Sequence, residues 1–153
     1  MPSKKIRRNS GLTIFEILTV ALIISILALI AIPNFIKSKD DANEATVETN
    51  AGVLRTMLET YKVDHHLYPE DLRTLGREAT IKKYNKEAQN PFTGTRGIVE
   101  SGKWAIEYVG TSGPVGMVSY QPLSGNTKYY IFLYDRTGQL LKRKGKVYAL
   151  SNG

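Results

Sequence analysis

The sequence predicts an α+β fold: a long N-terminal helix, membrane-spanning in its first half, packed on a small C-terminal antiparallel β-sheet. Three observations carry this. About 21 residues from Leu12 to Ile32 run almost without a polar break, and as a helix they would cover ~31 Å, the thickness of a bilayer core. Beyond Pro33, the residues Val47, Ala51, Leu54, Leu58 and Tyr61 recur at alternating steps of four and three, which places them on one face of a helix. After residue 104 the pattern changes to alternating, aromatic-rich segments separated by glycine, the signature of strands and turns.

Taken in order, residues 1–11 form a short basic leader with Lys4, Lys5, Arg7 and Arg8, ending in Gly11. Residues 12–33 are the apolar helix. Pro33 lacks an amide hydrogen and clashes with the preceding turn, so a kink or local melting is expected there, either as a hinge or as a static bend. Residues 34–66 continue the helix in amphipathic form, with Asp40, Asp41, Glu44, Glu48 and Arg55 off the apolar face. Tyr68-Pro69 ends it, because proline disfavours the α region for the residue before it. Residues 67–103 are a connecting region with a short helix around Glu70–Leu75 and a turn at Asn90-Pro91-Phe92-Thr93-Gly94. Within 104–153 the strands are expected at Trp104–Val109, Gly116–Tyr120, Lys128–Tyr134 and Leu140–Tyr148, with Asp135–Gly138 a turn. Their spacing suggests an antiparallel meander.

The chain has 153 residues, no cysteine and a formal net charge of +7. With the leader and the apolar run set aside, enough chain remains for one small domain. The absence of cysteine excludes disulfides, thiolate metal sites and cysteine nucleophiles. Four of the cations lie in the leader, leaving +3 on the rest. Much of the basicity therefore reflects membrane topology, with basic residues on the cytoplasmic side, and nucleic acid is not an expected partner. The remaining cluster, Lys142-Arg143-Lys144 with Lys146, reads as a solvated edge-strand device in preference to a binding patch.

One residue in the apolar run is out of place. Glu16, in Gly11-Leu12-Thr13-Ile14-Phe15-Glu16, puts a carboxylate where an ionised group is costly. A simple anchor has no use for it. Basic leader, glycine, apolar first residue, threonine, glutamate five residues after the glycine, and proline at Pro33 stand in one register. Over about residues 4–45 the chain resembles the type IV prepilins and the pseudopilins of type II secretion. Leu12 departs from the commoner phenylalanine at the first mature position. The segments around Tyr68-Pro69 and Asn90-Pro91-Phe92 resemble pseudopilins more loosely.

The resemblance implies a precursor cleaved after Gly11 by a prepilin peptidase, which also N-methylates Leu12. The chain is then a substrate and not an enzyme. Cleavage would leave the apolar helix on the mature protein, unlike an ordinary secretory signal, whose shorter apolar region is removed. Glu16 would pair with the freed amine of a neighbour's Leu12 and fix the register between subunits; the alternative is a carboxylate snorkelling to the headgroups. Thr13 and Pro33 belong to the same assembly set. The implied function is a structural subunit of a type IV filament, in first place a type II secretion pseudopilin. A type IV pilus subunit for adhesion, twitching or DNA uptake, and a tethered binding module that never polymerises, stay open. The implied partners are further copies of the chain and other pilin-like subunits, the peptidase, an inner-membrane assembly platform with its ATPase, and lipid before assembly. The implied location is the inner membrane, single-pass with the head outside the cytoplasm, then a periplasmic or cell-surface filament.

Other constellations are weaker. Ala21, Ile24, Ala28 and Ile32 suit both lipid contact and close helix packing. His65-His66 are adjacent and point to different helix faces, which is poor metal geometry. Gly110-Thr111-Ser112-Gly113 lacks the spacing of a nucleophile elbow. Major pseudopilins often bind calcium in a C-terminal loop, and Asp135 is the nearest carboxylate there. One aspartate beside an arginine offers few of the oxygens calcium needs, so a plain turn is the reading and no cofactor is assigned. Tyr129, Tyr130 and Tyr134 could form a stacking surface for single-stranded DNA, although their alternation fits core packing with a half-exposed sheet face better.

Overall fold

The computed structural model describes residues 11–98 and 104–152. The basic leader up to residue 10, and residues 99–103 of the connecting region, lie outside the described residues. The elements are α1 (Ile14–His65), α2 (Leu72–Ile81), β1 (Ala105–Glu107), β2 (Val118–Leu123), β3 (Lys128–Leu133), β4 (Lys142–Arg143), β5 (Lys146–Val147) and β6 (Ala149–Ser151). The chain divides into two compact units, one reaching Ser38 and one beginning at Lys39.

The first unit is the apolar part of α1. It stays helical through Pro33, so the local melting expected there does not occur. Its polar side chains turn back onto their own helix: the Thr19 hydroxyl donates to the Phe15 carbonyl at 2.9 Å and Ser25 to Ala21 at 2.7 Å. No apolar side chain of this stretch is buried.

The second unit holds the core. Val47, Ala51, Leu54 and Leu58 of α1 are fully buried, as their spacing predicted, and Tyr61 packs at the margin. Asn50 and Met57 join them. They meet Leu72, Leu75 and Ala79 of α2, and Ala105, Val118, Tyr120, Tyr129, Ile131 and Leu133 of the sheet. Helix α1 stops at His65, three residues before Tyr68-Pro69, because His66 turns left-handed at φ 62°. Helix α2 runs further than the short helix expected around Glu70–Leu75. Asp71 caps it by accepting the Thr74 amide at 2.6 Å, and Leu72, Leu75 and Ala79 keep one face buried to its end.

The α+β class holds, but the sheet is mixed and not wholly antiparallel. Its order is β1-β2-β3-β6. β2 and β3 pair antiparallel, Tyr120 opposite Ile131, and β3 and β6 pair antiparallel, Phe132 opposite Ala149. β1 lies parallel to β2, Ala105 beside Val118. The reason is the loop between them. A parallel pair needs a return crossover, and β1 is only three residues long, so the 108–117 segment suffices. That loop is pinned: the Tyr134 hydroxyl donates to the Gly110 carbonyl at 2.8 Å, and the Gly113 amide donates to Gly138 at 2.8 Å. This is what the Gly110–Gly113 run does here.

The expected last strand, Leu140–Tyr148, is broken in two. Lys144 and Gly145 both take positive φ, 52° and 77°, the geometry of a two-residue hairpin turn. The chain folds back as β4–β5, Arg143 opposite Lys146, before β6 joins the main sheet. Of the three tyrosines of this region, Tyr129 and Tyr134 are buried and only Tyr130 faces solvent. They do not form a common stacking surface.

Candidate functional site

The residues singled out at the N-terminus gather in and before the first turn of α1. Gly11 and Leu12 precede the helix and are exposed, Leu12 at 77 %. A side chain at Gly11 would meet no atom of the described residues within 4 Å, its chain neighbours aside. Thr13 immediately precedes the helix and Glu16 stands in its first turn.

These two side chains satisfy one another. The Glu16 amide donates to Thr13 Oγ1 at 3.2 Å, while the Thr13 amide and hydroxyl each donate to Glu16 Oε2 at 2.9 Å. This is a capping box, in which an N-terminal Thr and a Glu three residues on exchange hydrogen bonds and saturate otherwise orphaned amides. The carboxylate also sits at the positive end of the helix dipole. The second carboxylate oxygen, Oε1, carries none of these three bonds. The box is legible in the Thr-x-x-Glu spacing at Thr13–Glu16, and it makes Glu16 a partnered carboxylate in place of an isolated charge.

Pro33 is not part of this cluster. It lies 17 residues further on, about 26 Å along the helix, where it lines a shallow apolar groove with Ser25, Ala28, Leu29 and Ile32. Two of the apolar stripe, Ala28 and Ile32, are in that groove; Ala21 and Ile24 are not among its lining residues. The stretch beginning at Ile14 is long and apolar enough to cross a membrane, and its large apolar side chains are exposed.

The head carries a second set of charged contacts that the sequence reading missed. Arg136, in the turn after β3, bonds Asp40 of α1. Arg143 of β4 reaches Glu48 at 2.5 Å and Glu44 at 3.5 Å. Asp40, Glu44 and Glu48 are four residues apart, one stripe along the helix, and two arginines more than ninety positions away read it. Burial pushes the Glu44 carboxyl above its ordinary range, against the opposing pull of Arg143. Sequence spacing could show the acidic stripe but not which cations cover it.

Asp135 is committed within its own turn. Its Oδ1 accepts from the Thr137 amide and hydroxyl, each at 2.7 Å, and from the Gln139 amide at 3.1 Å. His65 meets Glu78 at 3.1 Å and stacks on Tyr61, while His66 forms the left-handed helix end. The two histidines do not converge. Among the described residues no group of three or more histidine or acidic side chains is placed to hold a metal. Glu59 accepts from Tyr68 at 3.1 Å and from Tyr129 at 2.9 Å. Burial, and then the bond to Glu59, holds the Tyr129 hydroxyl protonated far above its usual range, and the two bonds tie the chain after α1 and the sheet to the same carboxylate.

A capped, glutamate-bearing apolar helix that continues into a small α+β head is the architecture of a pilin-like subunit. The comparisons with known proteins agree. The chain is 31% identical over 123 residues to a type II secretion system core protein G from Dickeya chrysanthemi, covering 76% of this chain and 79% of that one. It is 34% identical over 88 residues to the core protein G of Vibrio cholerae, covering 57% of this chain and 59% of that one, so the match spans less than two thirds of that relative. It is 30% identical over 96 residues to the competence protein ComGC of Halalkalibacterium halodurans, covering 63% of this chain and 94% of that one. No family model matches the chain, and no solved structure matches it. The chain belongs to the pseudopilin family, a membrane-anchored filament subunit of the core protein G kind, with the competence protein as a related branch.

Proposed function

We propose that this chain is made as a precursor in the inner membrane, cut after Gly11 by a prepilin peptidase, N-methylated on Leu12, and polymerised through α1 into a type II secretion pseudopilus. The observation that carries the reading is the Thr13–Glu16 box at the head of an unburied apolar helix. Alone in the bilayer, the subunit meets the cost of its carboxylate internally. In a filament, Glu16 Oε1 takes the charged amine of a neighbour's Leu12, a charge-assisted bond in a low-dielectric bundle. The box orients the carboxylate for that amine without spending both oxygens. Pairing is then specific to one axial register, since a mis-set subunit leaves two buried charges unpaired.

The work of assembly falls to a separate ATPase acting through a membrane platform. The head stays outside the cytoplasm because the leader's cations hold the other end inside. A competence-type filament is the second reading, favoured by the match that spans nearly all of ComGC. Secretion is preferred because several core G proteins match, one of them over three quarters of this chain.

The test is intact mass and electron microscopy of the sheared surface fraction from cells overexpressing the chain, beside Glu16→Ala. The expected result is filaments of a chain that begins at N-methyl-Leu12, with the variant cleaved but unassembled. Normal filaments from Glu16→Ala would overturn the role given to Glu16. A mature monomer confined to the membrane in both strains would overturn the filament itself.

A further inference from the structure

We propose that the β4–β5 hairpin is a docking surface for anionic phospholipid headgroups, used by the subunit while it waits in the membrane. The hairpin packs four cations into Lys142-Arg143-Lys144-Gly145-Lys146, and every residue from Lys142 to Val147 is exposed. Arg143 is spent on Glu44 and Glu48, and Arg136 on Asp40. Lys142, Lys144 and Lys146 make no ion pair among the described residues. The acids nearby are Asp40, Asp41, Glu44, Glu48 and Asp135. Two arginines and the Asx turn at Asp135 occupy all of these except Asp41. The cationic excess is therefore carried by a projecting hairpin whose tip, Gly145, has open space around it.

Its place in the chain names the occupant. Within the unit that begins at Lys39, the arginines tie this region to Asp40, Glu44 and Glu48, the first turns of α1 in that unit. Asp40 follows Pro33 by seven residues, a reach of roughly 10 Å as helix and at most about 25 Å fully extended. Any bilayer holding the apolar run is thus on a short tether from the lysines. A polybasic patch beside an inserted segment is attracted to anionic lipid, and the attraction is lost within about a Debye length or under salt. The physical consequence is a head held down on the membrane before assembly, released when the subunit is extracted.

The proposal rests on reading the apolar run as a membrane span, and the experiment separates the two. The chain has no cysteine, so Val147→Cys on the hairpin and, as a control, Thr80→Cys on α2 each take a single fluorophore. The full mature chain is placed in phosphatidylcholine discs, with or without phosphatidylglycerol, that contain a headgroup-quencher lipid. Expected is quenching at position 147 that needs phosphatidylglycerol, falls in high salt, and is absent at position 80. The charge reversal K142E/K144E/K146E lowers the docked-to-free ratio by at least about a hundredfold, since the loss of each lysine alone is worth roughly fivefold near an anionic surface. Quenching indifferent to phosphatidylglycerol, or unchanged in the triple variant, overturns the proposal alone. Protection of position 147 by single-stranded DNA with no phosphatidylglycerol effect assigns the patch to nucleic acid and overturns it too. A chain that does not enter the discs overturns the span and the proposal together.

Discussion

An ionised glutamate at the third residue of the apolar helix would destabilise insertion if it stood alone, and Thr13 supplies the donors that offset it. The hydroxyl has two tasks, accepting the Glu16 amide and donating to its carboxylate. Thr13→Ala removes both, while Thr13→Ser keeps both. The expected cost of the alanine is about 1 kcal/mol at the helix start, the usual worth of an N-cap. Amide exchange of residues 14–17 in the mature, disc-embedded chain checks it: faster in the alanine variant, unchanged in the serine one. If both variants exchange like the parent, the box has no energetic role. The same scale holds the Glu59 triad, where one half-buried carboxylate satisfies two tyrosine hydroxyls, and the Asn90 side chain, which donates to Val115 and accepts from Phe92 and Thr93. The turn at Asn90-Pro91 was legible from its residues; the partner at Val115, 25 positions away, was not.

Among the elements, α2 and the turn after β3 show how single residues decide whether a segment forms. Asp71 caps α2, and the Thr74 backbone bond holds its carboxyl below the ordinary 3.8. A lowered folded value means the cap stabilises above the unfolded value and is lost as pH falls through the folded one. Asp71→Ala is therefore expected to lower stability by about 1 kcal/mol near neutral pH. In thermal melts the gap to the parent should close as pH drops below 3.8; a gap that persists in acid would assign the loss to packing. Gly138 sits at φ 75°, and a Cβ there would come within 2.4 Å of the Gly113 carbonyl oxygen. That backbone has its own bond to hold, from the Gly113 amide to the Gly138 carbonyl, so it cannot move aside without loss. Gly138→Ala should cost on the order of 2–4 kcal/mol, read as a shift in denaturant midpoint. A change under about 0.5 kcal/mol, the range of an ordinary surface substitution, would mean that the turn relaxes freely.

For the whole molecule, the division after Ser38 separates two solvents. Among its described residues the first unit has no buried side chain, so its apolar surface is left for lipid or for neighbours. The second contains the entire apolar cluster, from Val47 to Leu141. A fragment of residues 39–153 should accordingly fold cooperatively, stay monomeric and remain soluble, which circular dichroism with sedimentation would establish. A molten or aggregated fragment would show that the head needs the apolar helix or the filament to fold. Such a monomer would also locate self-association in the residues before Lys39, because it retains the second half of α1 and every contact of the head.

The sequence by itself determined the parts whose cause is local or periodic. These are the membrane-length run, the buried face Val47–Ala51–Leu54–Leu58, the strand-forming aromatic segments and the register of Gly11, Glu16 and Pro33. Each follows from hydrophobic spacing or backbone chemistry within a few residues, and that information survives without a fold. Only the tertiary structure decided that β1 runs parallel to β2, that the last strand folds into a cationic hairpin, and that Arg136 and Arg143 cover the acidic stripe of α1. Those outcomes depend on pairings that include residues more than ninety positions apart, such as Arg136 with Asp40 and Arg143 with Glu48. They are chosen by which arrangement buries the common core while pairing the polar groups it covers, a condition of the packed whole that no local window contains.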